Sequence, residues 1–383
     1  MTRRLLLRPL ALSLLVLLPA PFFARLCRGH SPSRFDLVNL PTWERQLPAP
    51  LPACRLFRLD PPPPGTVQIP HNPWITALLR ADENRLLVGA EHPGKGDAGR
   101  AGAWLEDACA WGRAGQVLDD KQDRVATRLM AAQADDGTWG RKPDAAGWTP
   151  AGARAQCTCL RGLLAYYGLT RRPAVGYVAL LAGSGLGTIP AGVCDAPQVY
   201  PLTRLYQATG DSRFLDSARR LAPHADGLGQ CALYEATSQA APLQAARLAW
   251  MRNPRDAALT SELLLLTGLP SYAAALDSLP PSGVELARAA WTRIPDGLAV
   301  NTSRTASAVF HGVHLAQVGG QTARTITVTT ARPAAFTLRV FLPSGTPVRV
   351  WVNGAAQAAH APPRGYAVLL RRWRSGDVVR VAG

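Results

Sequence analysis

Apolar residues recur at helical spacing through the middle of the chain and at alternate positions near its end. In residues 201–222, Leu205 and Tyr206 belong to one apolar stripe, Gly210 suits the left-handed residue that ends a helix, and Asp211 can cap the next helix. This segment predicts two short helices joined by a tight turn. Helices this short are unstable alone, so the pair must bury its apolar stripe against further helices of the same kind.

The same pattern returns along the chain. Thr267 and Gly268 repeat Thr209 and Gly210, with an aromatic residue four places after each glycine, and a looser version ends at Thr170. The repetition predicts an array of αα-hairpins, either stacked or closed into a ring. Chance similarity among short leucine-rich helices is the alternative interpretation.

Toward the end of the chain the period changes from helical to alternating. Residues 325–329, 336–340 and 348–352 alternate in the manner of strands, and Asn353-Gly354 is a strong signal for a hairpin turn. We therefore predict a mainly α and then β chain: an αα-hairpin toroid, (α/α)6-like and complete or incomplete, followed by an antiparallel β-sandwich.

The first residues match an export signal. Arg3-Arg4 precedes an apolar run that is broken only by Arg8, but no clean cleavage site follows, so an uncleaved membrane anchor is the alternative. We expect an exported protein: extracellular, periplasmic or held at the membrane. The predicted organisation has four parts: 1–30, signal or anchor; 31–100, proline-rich extended arm and loop; 101–295, helical toroid domain; 296–383, β-sandwich domain.

Composition narrows the class of protein. Hydrophobic residues make up 47% and charged residues 18% of the 383 residues, which is typical of a globular chain. The net charge of +16 comes largely from scattered arginines, with no basic run interleaved with aromatics, so nucleic acid is not an expected partner. The cysteines after Cys27 could pair in an exported protein, or Cys157 and Cys159 could contribute thiolates to zinc. Buried or disulfide-bonded thiols are favoured.

Several segments, in shared order, resemble the β-L-arabinofuranosidase family, glycoside hydrolase family 127, whose fold is an (α/α)6 toroid with β-sandwiches. The resemblance touches most of residues 91–383 and implies an arabinose-containing or related glycan as substrate. The segments are Trp104-Leu105-Glu106, Gln133 with Asp136-Gly137, 162–167, 205–215, 296–301, 336–343, 352–354, Gly365-Tyr366 and 372–377.

The family's chemistry, carried over, would need a zinc-bound cysteine thiolate as nucleophile and a glutamic acid as acid/base. The nearest match to its Glu-Thr-Cys motif is Glu235-Ala236-Thr237, which has threonine in place of cysteine, and no cysteine follows Cys231. Zinc is the cofactor that the resemblance implies, but its ligands are not recognisable. We therefore assign no metal ligand and no cofactor, and leave the enzymatic activity open.

Carboxylates of the helical region supply other candidates for an acid/base pair: Glu91, Asp97, Glu106, Asp195, Glu235 and Glu262. We favour Glu91 with His92, in a glycine-rich loop, and add Glu235 as the motif match. Each could instead be a solvated surface acid. Trp74, Trp139 and Trp148 are candidates for stacking on sugar rings, with core packing as the alternative.

Two functions of different class are compatible with the sequence. One is an exported carbohydrate-active hydrolase with diverged catalytic residues, and the other is a catalytically silent carbohydrate-binding or cell-envelope scaffold. Residues 133–140 also fit the Gln-x-x-Asp-Gly-x-Trp-Gly motif of terpene cyclases. That motif occurs once here, and a role in clamping a helix end is sufficient to explain it.

Overall fold

A computed structural model describes residues 97–113, 121–139, 147–187, 189, 197–279, 289–343, 348–357 and 365–383. The predicted export segment and proline-rich arm lie outside this part of the chain. The helices are α1 Asp97–Arg113, α2 Lys121–Ala131, α3 Pro150–Thr170, α4 Pro173–Leu186, α5 Val199–Thr209, α6 Ser212–Leu221, α7 Gly227–Thr237, α8 Ala240–Arg252, α9 Ala257–Thr267 and α10 Pro270–Ser278.

These helices form the predicted array of αα-hairpins. The odd-numbered helices pack side by side in sequence order, and each even-numbered helix packs against the odd-numbered helix that precedes it. We call the layer of α1, α3, α5, α7 and α9 the inner layer. Five hairpins are present in the described residues, and they are followed by β-sheets, as the alternation of the sequence predicted.

A threonine corner ends four of the five inner-layer helices. In each corner the threonine Oγ1 donates to the carbonyl oxygen four residues earlier, and the next residue has a positive φ that stops the helix. Gly210 and Gly268 fill this position as predicted. The sequence pattern missed Ser238, which takes the same conformation without glycine. The threonines are Thr170, Thr209, Thr237 and Thr267.

Two glycines let α1 and α3 approach closely. A Cβ on Gly102 would overlap with the backbone of Thr158 and Cys159, and a Cβ on Gly162 would overlap with the backbone of Gly102. The two helices therefore cross in direct backbone contact, which fixes how far apart their side chains lie.

Ten strands form two sheets in the described C-terminal part. They are β1 Trp291–Ile294, β2 Gly297–Val300, β3 Ala306–Phe310, β4 Val313–Gly319, β5 Ala323–Thr330, β6 Ala334–Phe341, β7 Arg349–Val352, β8 Ala355–Gln357, β9 Tyr366–Trp373 and β10 Val378–Ala382. One sheet has the order β1-β2-β6-β9, and the other has the order β3-β4-β5-β10-β7-β8. The buried faces of the two sheets share one hydrophobic cluster, as in a sandwich.

Most of the strand pairing matches the prediction, with one exception. Asn353 and Gly354 both have positive φ in the turn between β7 and β8, which is the hairpin that their sequence predicted. The exception is that β2 pairs with β6 in parallel, from Gly297 opposite Thr337. A Cβ at Gly297 would overlap with the Thr337 carbonyl, so glycine permits this close pairing.

The sheets and the last helices share a core. Phe341 of β6 is fully buried in a cluster with Leu263, Leu264 and Leu276 of α9 and α10. Asp277 of α10 adds hydrogen bonds across the same junction. The junction therefore combines apolar packing with buried hydrogen bonds.

Candidate functional site

The predicted site residues fall into two groups. Trp74, Glu91 and His92 lie outside the residues that the structure describes, so their roles stay predictions. Glu235, Trp139 and Trp148 lie within them.

Trp139 is part of a clamp on the end of α2. Its side chain is 4% exposed, and its indole N–H donates to the carbonyl of Leu129 at 2.7 Å. Gln156 holds the same turn, because its Oε1 accepts from the backbone N–H of Trp139 and its Nε2 donates to the carbonyl of Gly137. Gln133 also donates to Gly137. For the described residues 133–139, this arrangement supports the interpretation of the motif as a helix-end clamp, and it gives Trp139 a core role.

Trp148 is half-buried and packs against the helical core. It precedes Thr149, whose hydroxyl caps α3 by accepting from the N–H of Gly152. Part of the indole is therefore accessible near the start of an inner-layer helix. Its predicted contact with sugar rings remains a prediction.

Glu235 lies in a buried ion pair. It belongs to α7 and is 2% exposed, and its Oε2 accepts a hydrogen bond from Nη1 of Arg204, which is 4% exposed. Arg204 is on α5, so the pair joins two neighbouring inner-layer helices. The Nη1 of Arg204 also donates to Oε1 of Gln207 at 2.7 Å. Charges this deeply buried persist only when they are paired.

A second glutamate faces the same guanidinium. Glu262 of α9 is 7% exposed, and its Oε2 lies 4.0 Å from Nη2 of Arg204. This is ion-pair distance but exceeds hydrogen-bond distance. Nη2 and Nε of Arg204 are buried and have no hydrogen-bond partner. One guanidinium therefore lies between two carboxylates that come from different helices.

Tyr200 connects this pair to another one. The guanidinium carbons of Arg161 and Arg204 both lie 4.9 Å from the centre of the Tyr200 ring, within cation–π range. Arg161, on α3, forms an ion pair of 3.0 Å with Glu106 on α1. Burial by itself would lower the pKa of Arg161, but the charge of Glu106, with Tyr200 and Asp226, raises it above its ordinary value.

We call these six residues the inner-layer charge cluster. Each of the five inner-layer helices contributes one charged residue to it, and α5 also contributes the tyrosine. Tyr200 and Arg161 are half-buried, and 25% of the Arg161 side chain is exposed. Its members are Glu106, Arg161, Tyr200, Arg204, Glu235 and Glu262.

Sequence reasoning identified the glutamates of this cluster as candidates but missed its cations. A usable signal was the run Thr260-Ser261-Glu262, three polar residues ahead of four leucines in one helix. Consecutive helical residues point in directions 100° apart, so such a run must bury at least one polar group when the helix is enclosed. All three residues are buried.

Zinc held by thiolates does not fit the described residues. No group of three or more His, Cys, Asp or Glu side chains comes together there in a way that could hold a metal ion. The carboxylate of Glu235 is bound by Arg204. Cys159 is buried. Burial is the main cause that raises the pKa of its thiol above the ordinary value, and the neighbouring Cys157 raises it further, so formation of the thiolate is opposed.

The described cysteines are buried thiols rather than disulfides. They are Cys109, Cys157, Cys159 and Cys231. Cys159 packs in the core of the first helices, whereas Cys231 packs near α9 and α10. Cys27, Cys54 and Cys194 lie outside the described part. Among the helices that the structure describes, none is both long enough and apolar enough to cross a membrane.

Comparison with known proteins shows similarity in structure but not in sequence. No protein-family profile matches the sequence. No curated protein sequence matches it either. A solved structure described as a glycoside hydrolase superposes with a TM-score of 0.58 at 15% identity, covering 74% of this chain and 72% of its own.

Two further solved structures belong to glycoside hydrolase family 127. A β-L-arabinofuranosidase from Geobacillus stearothermophilus T6 has a TM-score of 0.58 at 13% identity, covering 79% of this chain and 75% of its own. A β-arabinofuranosidase has a TM-score of 0.57 at 14% identity, covering 80% and 75%. The chain therefore shares the fold of these proteins, a helical toroid with a β domain, as the sequence resemblance implied.

Proposed function

We propose that this chain is an exported carbohydrate-active protein that hydrolyses glycosidic bonds in arabinose-containing or related glycans. The observation that carries the proposal is the inner-layer charge cluster, to which the five inner-layer helices each contribute a buried or half-buried charge. Buried charge is costly to maintain, and functional sites are where such clusters concentrate. We take a glycan as the class of ligand because the solved structures that share this fold are glycoside hydrolases.

The cluster offers chemistry that suits a saccharide. Glycoside hydrolysis needs one carboxyl group that donates a proton and one carboxylate that accepts a proton or attacks the sugar. Glu235 and Glu262 are two carboxyl groups at one guanidinium. Tyr200, whose ring contacts the guanidinium of Arg204, is half-buried and adds an aromatic ring to the cluster.

Hydrolysis by the purified full-length chain tests this function. We expect turnover of aryl arabinofuranosides or arabinose-containing oligosaccharides, and a loss of at least about a hundredfold in Glu235→Gln. Asp216→Asn is the matched control, because the Asp216 side chain is 66% exposed and its Oδ1 lies 3.8 Å from Nη1 of Arg219, which is also exposed. If the folded protein cleaves none of the substrates on a broad panel, the proposed hydrolase function is contradicted.

A silent glycan-binding scaffold is the second candidate function. It is favoured by the ion pair of Glu235 with Arg204, which already satisfies one carboxylate without any substrate. Under this alternative, the wild-type chain binds arabinose-containing oligosaccharides in calorimetry but releases no sugar. Arg161→Ala would then weaken binding, because 25% of the Arg161 side chain is exposed, more than that of Glu106, Arg204, Glu235 or Glu262.

Export rests on the sequence of residues 1–24 alone. We propose that this segment directs the chain out of the cytoplasm. Expression of the full chain and of a chain lacking residues 2–24, followed by fractionation, tests it. Retention of both forms in the same compartment would contradict export.

A further inference from the structure

We propose that the outer face of the six-stranded sheet binds an acidic polysaccharide, in which Trp351 packs against a sugar ring and Arg380 pairs with the carboxylate of a uronic acid. The inference rests on the glycan ligand of the proposed function and adds a binding site separate from the inner-layer charge cluster. It is carried by the side chains that the strand register places together on this face.

The register of the six-stranded sheet forms one row of side chains across its outer face. Arg380 of β10 lies opposite Thr325 of β5 on one side and opposite Trp351 of β7 on the other. Directly opposite residues point to the same face, with Cβ atoms about 4.5 to 5.5 Å apart. The strand neighbours Val350 and Val379 are buried in the cluster between the two sheets. The row therefore points away from the core.

Trp351 differs from the other tryptophans of the described sheets. Trp291 and Trp373 are 3% and 0% exposed. The indole N–H of Trp373 donates to the Phe336 carbonyl, and the guanidinium carbon of Arg371 lies 5.2 Å from the centre of its ring. Trp351 is half-buried, and within the described part of the chain its side chain has no hydrogen bond and no ring contact. A partly exposed ring with no partner is suited to packing against the apolar face of a sugar.

Two arginines give the outer face a positive charge. Arg380 and Arg349 are both exposed, and Arg349 is on the same face because it lies opposite Ala382, two residues after Arg380. Among the described residues, neither guanidinium has a hydrogen bond, an ion pair or an aromatic partner. A guanidinium binds a carboxylate through two parallel hydrogen bonds, so an exposed arginine without a partner favours a carboxylate ligand.

Acidic side chains do not compete for these arginines. Residues 289–383 contain eleven arginines but only two acids, Asp296 and Asp377. The Thr337 hydroxyl in the other sheet donates to Asp296, and the Asn353 amide donates to Asp377, which is buried. Neither acid belongs to a strand of the six-stranded sheet. The excess of positive charge therefore favours an anionic ligand over a neutral one.

A saccharide fits this face better than a nucleic acid does. Single-stranded nucleic acids bind along several aromatic rings that stack on successive bases. Trp351 is the only tryptophan, tyrosine or phenylalanine that the described strands place on this face. Thr325, on the other side of Arg380, adds a hydroxyl that donates to or accepts from a sugar hydroxyl. One ring beside an arginine and a hydroxyl group suits one acidic sugar.

Calorimetry with the full chain tests the inference, using tetragalacturonate and the neutral tetrasaccharide made by reducing its carboxyl groups. We expect wild type to bind the acidic form at least about tenfold more tightly. Arg380→Gln should remove most of that preference, whereas Trp351→Leu should weaken the binding of both forms by at least about tenfold. Arg339→Gln is the matched control, because Arg339 is exposed on β6 in the other sheet, and it should change neither affinity.

Several results would overturn the inference. Wild type that binds neither form, or both equally, would refute it. Equal losses in Arg380→Gln and Arg339→Gln would indicate attraction by net charge alone. A single-stranded oligodeoxynucleotide that binds as tightly as tetragalacturonate would indicate a nucleic-acid surface instead. If Trp351→Leu does not fold, Trp351→Met replaces it and must show the same loss.

The inference and the hydrolase function can fail separately. A chain that hydrolyses arabinofuranosides but binds no tetragalacturonate would refute the inference alone. A chain that binds tetragalacturonate with the expected preference but hydrolyses no substrate would refute the hydrolase function and leave the binding site intact. Trp351→Leu should also keep wild-type hydrolysis of an aryl arabinofuranoside, because Trp351 is outside the inner-layer charge cluster.

Discussion

In the helical part, a buried arginine and buried carboxylates from different helices face one another. In the sheet part and at its junction, the buried carboxylates accept from backbone N–H groups and from hydroxyl or amide side chains, and the nearest arginine lies farther away than these donors, at 3.7 Å from Asp377 and 3.9 Å from Asp277. Arg204 with Glu235 and Glu262 represents the first arrangement. Asp277 and Asp377 represent the second. Both sets are buried, but the neighbours that compensate the charge are different in kind.

Asp277 shows how the second arrangement works. Its carboxylate accepts from the Thr302 hydroxyl at 2.8 Å, from the Ser303 N–H at 3.0 Å and from the Ser303 hydroxyl at 2.6 Å. The Nη2 of Arg304 donates to the carbonyl of Asp277 as well. These contacts tie α10 to the loop between β2 and β3. With its acceptors engaged by local donors, Asp277 is well suited to holding the junction.

This difference between the two sets of buried carboxylates indicates which of them is the better candidate for chemistry. A carboxylate whose oxygens accept from several local N–H and hydroxyl donors is held in position by them, which suits a structural role. Carboxyl groups from two helices that meet at one buried guanidinium form a charge cluster of the kind that is concentrated at functional sites. The inner-layer charge cluster is therefore the better candidate for function, although both regions bury similar groups.

The largest expected effect comes from removing the shared cation. In Arg204→Leu, Glu235 and Glu262 would remain buried without a positive partner from α5, and we expect the free energy of unfolding to fall by about 3 to 5 kcal/mol. Chemical denaturation followed by circular dichroism measures it. Arg219→Leu is the control, because its ion pair is exposed. A loss below about 1 kcal/mol would show that the cluster is not compensated as described.

Breaking the junction should cost somewhat less. Asp277→Ala leaves the N–H of Ser303 and two hydroxyls without their acceptor, so we expect a loss of about 3 kcal/mol. Limited proteolysis should also cut faster between the helices and the sheets than in wild type. Asp216→Ala, an exposed acid on α6, serves as the reference. Equal stability of the two variants would contradict the structural role of Asp277.

Arg324 is the exception in the sheet part, and its removal should stabilise the protein. Arg324 is 3% exposed, and its Nη2 donates to the Phe341 carbonyl, but its Nε and Nη1 have no hydrogen-bond partner. Burial lowers the pKa of Arg324 to about 10, despite attraction to Asp277. We expect Arg324→Met to raise the unfolding free energy by about 2 kcal/mol, because the long apolar side chain avoids burying a charge.

The matched control for this variant is Arg332→Met, since Arg332 is exposed on the turn between β5 and β6. Thermal unfolding of both variants at neutral pH gives the comparison. A decrease in stability for Arg324→Met, relative to Arg332→Met, would mean that the bond to the Phe341 carbonyl outweighs the cost of burying the charge.

The smallest effect is expected at Asp377, and it depends on pH. Burial raises the pKa of Asp377, but hydrogen bonds from Asn353 and from the N–H of Arg374, with the charge of Arg371, bring it below the ordinary 3.8. A carboxyl whose pKa is lower in the folded state stabilises the fold above its unfolded pKa, and this contribution disappears as pH falls through the folded pKa.

Asp377→Asn should therefore lower the unfolding free energy by about 1 kcal/mol near pH 6, and this difference from wild type should shrink as the pH falls below about 3.8. Urea denaturation at a series of pH values measures it. A difference that stays constant down to low pH would show that Asp377 contributes through shape rather than charge.

Local features of the fold were predictable because they depend on neighbouring residues. Gly210 and Gly268 take the left-handed conformation that ends a helix, and Asn353-Gly354 makes the expected hairpin turn. The corner at Ser238 was missed, since serine carries no strong preference for that conformation. The parallel pairing of β2 with β6 was missed as well, because alternation along a strand does not reveal its partner.

The candidate site was predictable only in part. Glu235 and Glu262 were recognised as carboxylates, but nothing in their local sequence indicated that they would meet at Arg204. Trp139 was a candidate for sugar stacking, and the structure gives it instead a hydrogen bond to Leu129 inside the core. The favoured pair, Glu91 and His92, lies outside the described residues and remains a prediction.

By itself the sequence determined the order of the helices and strands, because the period of apolar residues and the residues at turns act over a few positions of the chain. The tertiary structure alone decided which charges meet. Arg204 and Glu235 are 31 residues apart, on helices whose packing sets their distance. Because both groups are buried, that distance determines whether their charges are stable, since a buried charge is stable only beside a partner that the fold places next to it.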